Sequence, residues 1–390
     1  MPERRSSDMK LTFVTDTYAP QLNGVARTLE RLVAGLRERQ HRVDLVRPAV
    51  LGAQEEGMEV MSFPLPGYEG LHVGFPTIAR LLSHWHKDPP DIVYVATEAL
   101  LGFAAIHSAR TLGIPVVTGY HTNFQQYLSY YHMPRLEPIA MAYLRYLHNL
   151  SARTYVPCED VREALRGEGF DNLELLPKGV DTDLFDPSKR DESLRREWGA
   201  GPEDPVAIYV GRIAAEKNIP LVIRAMQTMG QLHPGFKGVL VGEGPKLAEL
   251  EAAYPQGIFV GPKLGEDVAR HYASADIFIF ASETETFGNV VLEAMASGLV
   301  TVAYHYAAAR QHITHGVNGF LAPFSNEAAF LDCCAQALDQ RHWADVRAAA
   351  RKEAVGVCWD RVIDNFQASL LELVEAEASP EPELSSLGQK

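Results

Sequence analysis

Short apolar, β-branched runs recur along this chain, and each is followed by a stretch with helical spacing. In the first half they read LTFVTD, HRVDLVRP, DIVYVAT, IPVVTGYH, RTYVPC and LELLPKG. In the second half they read PVAIYVGR, GVLVGEG, GIFVGP, DIFIFAS and VTVAYH. Runs of this kind are strands buried on both faces, and alternation with helices joins them by right-handed crossovers into parallel sheets. The rhythm breaks at PKGVDTDLFDPSKRDE, where turn-forming residues cluster, and then restarts. At 390 residues the chain has room for two ordinary domains. The α/β pattern thus predicts two Rossmann-like, doubly wound domains that face each other across an interdomain cleft. The expected bounds are 1–183 and 184–356, with a helix over 357–375 crossing back to the first domain and a disordered acidic tail over 376–390.

Composition narrows the class. Hydrophobic residues make up 46% and charged residues 22%, as in ordinary globular proteins. A net charge of -14 argues against a nucleic-acid partner. Cys158, Cys333, Cys334 and Cys358 form neither a CxxC pair nor a disulfide framework, which suits a reducing compartment. MPERRSSDMKLTFV lacks a signal-peptide core and no run reaches membrane-spanning length, so a cytoplasmic location is expected.

The residues suited to chemistry fall just past predicted strand ends. In ASETETFGNVVLEAMASGL, Gly288-Asn289 is a good N-cap, and a helix runs on from Val290. Glu285 is then on the loop and Glu293 on the first turns, too far along to be a capping-box carboxylate. Arg212 and Lys217 follow the strand in IYVGRIAAEKN; the pair suits a diphosphate, and a solvated surface pair fits the spacing equally well. Gly242 and Gly244 lack the third glycine of a dinucleotide fingerprint, since Leu247 stands there, and no GxxxxGK[ST] loop occurs. Asp181 and Asp183 resemble a metal motif but sit among turn residues, where Asp makes local backbone bonds, and the turn is favoured. The histidines lack the spacing of a ligand set, so no metal site is expected. His121 directly follows an apolar strand, and a packing role and a cleft-facing role stay open. Gly24, in a loop before a helix near Ala26, reads as a turn or as a point of ligand approach.

The ordered set Gly24, His121, GVD, GRIAAEKN, GEGP and Glu285-x7-Glu293 resembles the retaining GT-B glycosyltransferases of glycosyltransferase family 4. The similarity runs from NGV to CWDRVIDNF, leaving out only the acidic tail. It implies an N-terminal acceptor-side domain and a C-terminal nucleotide-sugar-binding domain. It also implies roles. Glu285 contacts the donor sugar's hydroxyls and Glu293 the ribose hydroxyls. Arg212 and Lys217 hold the diphosphate, helped by backbone N–H groups from Phe287 through Gly288 and Asn289 to Val290. His121 faces the donor sugar, Gly24 lets its loop close over the phosphates, and Val260 to Lys263 line the base. No cofactor or metal is implied beyond the nucleotide-sugar donor. Where many relatives carry Gly-Gly, this chain has Ala307-Ala308.

FPLPGYEGLHVGFP and ATEALLG look like the bacterial branch that includes sulfoquinovosyl-diacylglycerol synthase and GDP-mannose-dependent mannosyltransferases acting on glycolipids. A basic helix carrying Arg27, Arg31, Arg37, Arg39 and Arg42, with the aromatic stretch NFQQYLSYYHMPRLEPIAMAYLRYL, suits a lipid acceptor and peripheral contact with the inner membrane face. Read without the resemblance, the same residues are a solvated helix and a partly buried core helix. The expected activity is transfer of a mannose- or glucose-type hexose to a hydroxyl acceptor. A sugar-nucleotide epimerase and a non-catalytic binding subunit are the rivals. GDP against UDP, and the oligomeric state, stay open.

Overall fold

The computed structural model describes residues 8–19, 21, 24–49, 57–64, 72–75, 78–121 and 137–378. The chain forms two compact units. The first comprises 1–156, 164–176 and 363–390, and the second 157–163 and 177–362.

The first unit holds a seven-stranded parallel sheet of order β3-β2-β1-β6-β7-β8-β9. Its strands are β1 (Lys10–Val14), β2 (Arg42–Pro48), β3 (Gly57–Val60), β6 (Ile92–Val95), β7 (Val116–Gly119), β8 (Arg153–Val156) and β9 (Leu173–Leu175). A separate antiparallel pair, β4 (Ser62–Pro64) and β5 (His72–Gly74), precedes the helix α2. Helices α1 (Gly24–Glu38), α2 (Ile78–Lys87), α3 (Leu100–Thr111), α4 (Glu137–Asn149) and α5 (Glu159–Gly167) follow in chain order, α5 belonging to the second unit up to Glu163 and to the first from Ala164. β1 and β6 are buried throughout because helices cover both faces. In α1 the apolar positions Leu29, Leu32, Val33 and Leu36 recur at helical spacing and are all buried. Trp85 and Leu81 of α2 and Leu101, Ala104 and Ala105 of α3 close one core against Val14, Val93 and Val95.

In the second unit a six-stranded parallel sheet has the order β12-β11-β10-β13-β14-β15. The strands are β10 (Val206–Val210), β11 (Lys237–Val241), β12 (Ile258–Phe259), β13 (Ile277–Phe280), β14 (Val300–Tyr304) and β15 (Phe320–Ala322). Helices α6 (Glu192–Glu197), α7 (Ile219–Leu232), α8 (Leu247–Ala253), α9 (Gly265–Ser274), α10 (Asn289–Ala296), α11 (Ala307–His312), α12 (Glu327–Ala337), α13 (Trp343–Gly356) and α14 (Trp359–Ala378) complete the fold. In each sheet the strand order reverses once, between β1 and β6 and between β10 and β13. At such a reversal two loops leave in opposite directions and open a crevice at the carboxyl edge.

The expected boundary after 183 differs from the division observed, which falls between Leu176 and Pro177. Arg351 of α13 draws the turn segment into the second unit by donating to the carbonyls of Thr182 and Phe185 and to the Asp186 carboxylate. Helix α14 extends past the expected 375 to Ala378, and it belongs to the first unit from Ile363 onward. There Phe366 packs edge-on against Phe13, Tyr94 and Tyr155. Residues 379–390 of the expected acidic tail lie outside the described residues.

At the amino edge of the second sheet, Asp276 is 2% exposed and meets Arg195 at 3.0 Å, Arg190 at 3.1 Å and Arg347 at 2.8 Å. It also accepts from the Val206 N–H, which ties β13 to β10 at their starts. Burial alone raises a carboxylate's pKa; here the arginines outweigh it and hold Asp276 below its ordinary range. Asp276→Asn leaves those guanidiniums without their anion and is expected to cost about 3 kcal/mol, seen as a lower denaturant midpoint at unchanged slope.

Candidate functional site

The carboxyl edge of the second sheet gathers the acidic and basic side chains that the sequence singled out. After β10, the Tyr209 hydroxyl donates to the Arg212 carbonyl at 2.9 Å and fixes the start of the loop. A single 3₁₀ turn over Ala215–Lys217 follows and ends at Asn218 in a left-handed conformation, φ 50°. This geometry carries the Lys217 ammonium back onto Glu285 of the loop after β13, where the two form an ion pair. Lys217 is 20% exposed and Glu285 13%. Arg212 is 58% exposed and meets Glu216 at 3.3 Å, so solvent screens that contact.

Glu285 is held from behind, with the Tyr306 hydroxyl donating to its carbonyl at 3.0 Å. Three residues on, Gly288 takes φ 88° and ψ 60° and caps α10. That corrects the expected cap, because Asn289 is already the first helical residue. The left-handed turn needs glycine, and it sets the first-turn N–H groups of α10 at the carboxyl edge, where a helix has no acceptors of its own. Phe287 is 1% exposed, and its carbonyl accepts from Ala308 N at 2.9 Å. Glu293 lies in the second turn, past capping range, and its Oε2 accepts from the buried Tyr272 hydroxyl at 3.1 Å.

Val260 and Lys263 stand on the loop after β12. The Val260 N–H donates to Leu240, Gly242 N donates to the Gly261 carbonyl, and Lys263 meets Asp267 at 3.7 Å. The glycines of VGEG serve this packing. A Cβ on Gly242 would lie 1.9 Å from the Gly211 carbonyl oxygen, and one on Gly244 would lie 2.2 Å from that of Ile213. The Asp181 reading as a turn agrees with the structure, where its carboxylate accepts from Leu184 N at 2.9 Å. Among the described residues no group of three or more His, Cys, Asp or Glu could hold a metal ion.

The Ala307-Ala308 departure has a structural counterpart. Ala307 adopts φ 50°, the conformation glycine takes at little cost. Asp160 holds it there, accepting from the Ala307 N–H at 3.0 Å and pairing with Arg310. Ala307→Gly is expected to stabilise the second unit by about 1 kcal/mol, measured as a higher denaturant midpoint.

His121 and Gly24 belong to the first unit. Gly24 is the first residue of α1, exposed, with open space where a Cβ would stand, so it is helical and not the loop residue expected. His121 Nε2 lies 2.7 Å from the hydroxyl of the buried Tyr94. A Cβ on Gly119 would come within 2.1 Å of that hydroxyl, so glycine is what leaves room for the contact.

Sequence reasoning missed Asp16, which follows β1 at the first sheet's reversal. Its carboxylate accepts from Gly74 N at 2.7 Å and from the Thr97 hydroxyl at 2.7 Å. Burial raises its pKa to about 6, against the lowering effect of both hydrogen bonds. The signal was available, since VTDTY places a carboxylate two residues past an apolar strand that ends at Val14. Lys178, 8% exposed in PKGVD, was also missed, because its neighbours read as turn residues. With its folded pKa above the unfolded one, Asp16 keeps its proton to higher pH in the folded state. Stability should therefore fall as pH rises from about 4 to about 6. Asp16→Asn should flatten that slope in unfolding titrations.

Two family models match the chain in succession, Glycosyltransferase Family 4 over residues 22–184 and Glycosyl transferases group 1 over residues 190–354. A GDP-mannose-dependent alpha-mannosyltransferase of Mycobacterium tuberculosis is 32% identical, over 92% of this chain and 95% of that protein. An alpha-monoglucosyldiacylglycerol synthase of Streptococcus pneumoniae is 28% identical, over 76% of this chain and 71% of that protein. Among solved structures, a sucrose-phosphate synthase from Thermosynechococcus elongatus shares the fold with a TM-score of 0.79 at 18% identity, covering 94% of this chain and 100% of that one.

Proposed function

The chain belongs to the family 4 glycosyltransferases, and from that premise we propose a retaining hexosyl transfer from a nucleoside-diphosphate sugar to a hydroxyl of a glycolipid or diacylglycerol. The observation that carries this reading is the Lys217–Glu285 pair at the β10/β13 reversal, beside the N-terminus of α10.

Breaking the bond between sugar and phosphate leaves charge on the departing diphosphate, which the enzyme must stabilise. A helix end supplies about 0.3–1 kcal/mol when exposed. Each charge-assisted contact from Lys217 and Arg212 supplies about 1.5–3 kcal/mol. The cations therefore dominate and the helix end assists. Sugar and ribose hydroxyls are donors, which suits Glu285 and Glu293 as acceptors. Because those side chains supply the positive charge, the reaction is proposed to need no divalent metal.

The donor is proposed to carry mannose or glucose, in keeping with the names of the relatives. A lipid acceptor, met at the cytoplasmic membrane face, is supported by apolar side chains on the surface of the first unit. Met61 is 73% exposed, Phe75 50% and Ile139 67%. Among the described residues no helix is long and apolar enough to cross a membrane. Chain mixed with anionic liposomes at low salt should float with them, and failure to do so would remove the membrane contact.

The decisive experiment is transfer of labelled hexose from GDP-mannose or UDP-glucose to extracted membrane lipid. Glu285→Gln should lower the rate at least a hundredfold while the chain keeps its folded circular-dichroism spectrum, and a chelator should leave the wild-type rate unchanged. A fully active Glu285→Gln protein would take Glu285 out of the mechanism. At a hundred times its dissociation constant, the cognate nucleoside diphosphate should stabilise the chain by about 2.7 kcal/mol.

A further inference from the structure

Three acidic side chains are buried among the described residues, Asp16 at 5% exposure, Glu98 at 6% and Asp276 at 2%. A buried carboxylate is costly unless its oxygens are bonded. Two of the three meet that requirement. Asp276 is held by its arginines and the Val206 N–H. Asp16 accepts from Gly74 N at one oxygen and from the Thr97 hydroxyl at the other. Glu98 does not meet it. Its Oε1 lies 3.1 Å from His148 Nε2, while Oε2 has no hydrogen-bond or ion-pair partner among the described residues.

That unpaired oxygen stands where this kind of sheet takes its ligands. Glu98 lies three residues past the end of β6, at the reversal between β1 and β6. Asp16 N donates to the Thr97 hydroxyl at 2.9 Å, so the loops after β1 and β6 are joined one residue before Glu98. Helix α4 fixes the rest. The Tyr143 hydroxyl donates to the Glu98 carbonyl at 2.8 Å. His148 is fully buried, and its Nδ1 lies 2.8 Å from the Thr118 hydroxyl of β7. With both ring nitrogens engaged, His148 holds Glu98 by Oε1 alone. Polar atoms that this unit encloses without a partner include the Tyr120 hydroxyl and Trp85 Nε1; Glu98 Oε2 is not one of them and reaches accessible space. Anchoring α4 needs only the carbonyl and Oε1, which leaves Oε2 without a structural task. All of these residues belong to the first unit.

We propose that Glu98 Oε2 accepts a hydrogen bond from a hydroxyl of the lipid acceptor's headgroup, an inference that rests on the hydroxyl-acceptor reading above. His148 is then a positioning residue that acts through Glu98. A carboxylate is acceptor-only and so recognises donors. One free oxygen suits a single O–H, whereas a hard divalent cation takes six or more oxygens, and both oxygens of neighbouring Asp16 are already committed. An acidic side chain here also disfavours a phosphate-bearing headgroup and favours a neutral one, a sugar or a glycerol.

The test separates the lipid requirement from the donor requirement. Transfer of labelled hexose from GDP-mannose or UDP-glucose is followed in detergent micelles, with either the donor or the extracted membrane lipid varied. Glu98→Gln keeps an oxygen for His148 and is expected to need at least tenfold more lipid for half-maximal rate. Its donor half-saturation, and its donor hydrolysis in lipid-free micelles, should stay at wild-type values. Glu98→Asp, one methylene shorter, serves as the second variant if the Gln protein does not fold, with the same expectation. The glycolipid and diacylglycerol fractions of the extract are assayed separately. A shift with the glycolipids places Oε2 on a sugar hydroxyl, and a shift with diacylglycerol places it on the glycerol hydroxyl. An unchanged lipid requirement overturns the inference and leaves the donor-binding reading standing. So does an equal rise in the donor requirement, which would mark a purely structural role for Glu98. A wild-type chain that transfers hexose from neither donor overturns the proposed function and this inference together.

Discussion

Every strand of the two main sheets runs parallel to its neighbours, and this constraint fixes where chemistry can occur in the chain. Strands such as β1, β6, β10 and β13 are buried along their whole length, so polar side chains collect at the strand ends. In the second unit the two edges treat charge in different ways. Asp276, at the amino edge, is saturated by arginines and a backbone N–H, leaving no acceptor capacity to spare. Glu285, at the carboxyl edge, is paired with Lys217 and has a carboxylate oxygen in reserve. The same residue chemistry is thus fully satisfied at one edge and only partly satisfied at the other.

The fold was legible because apolar runs separated by helical stretches admit few other solutions. Each run quoted from the sequence coincides with a strand, from LTFVTD at β1 to VTVAYH at β14. What escaped was short, alternating or at an edge. GMEV forms β3 with the burial pattern of a half-exposed strand, and FLA forms β15 over three residues. Patterns of that length carry little periodicity, and their pairing comes from the sheet already present. Turn residues mark a break in the rhythm, but Arg351, far along the chain, decides which unit the turn joins.

Position at a strand end was legible from residue type and pattern, as at Arg212, Lys217, Glu285 and His121. It was obscure where tertiary contacts create the property. Nothing near Lys178 in PKGVD announces a lysine only 8% exposed. Nor does VGEG disclose that its glycines exist to let backbone meet backbone; only the 1.9 Å and 2.2 Å approaches make that evident. Ala307 shows the converse. The sequence marks a departure from the family, and the structure retains the left-handed turn by spending Asp160 on its N–H.

The pairing of Lys217 with Glu285 bears on how such a site stays poised. Two opposite charges held at this depth neutralise each other and spare both the cost of isolated burial. On the proposed donor reading a diphosphate would compete for the ammonium, with more negative charge than one carboxylate offers. Arg212, more than half exposed and only loosely paired with Glu216, can join at little cost. The glycine-capped end of α10 adds a fixed dipole that needs no rearrangement. Lys217 and Glu285 thus make the second sheet's carboxyl edge a pairing of opposite charges and not a patch of one sign.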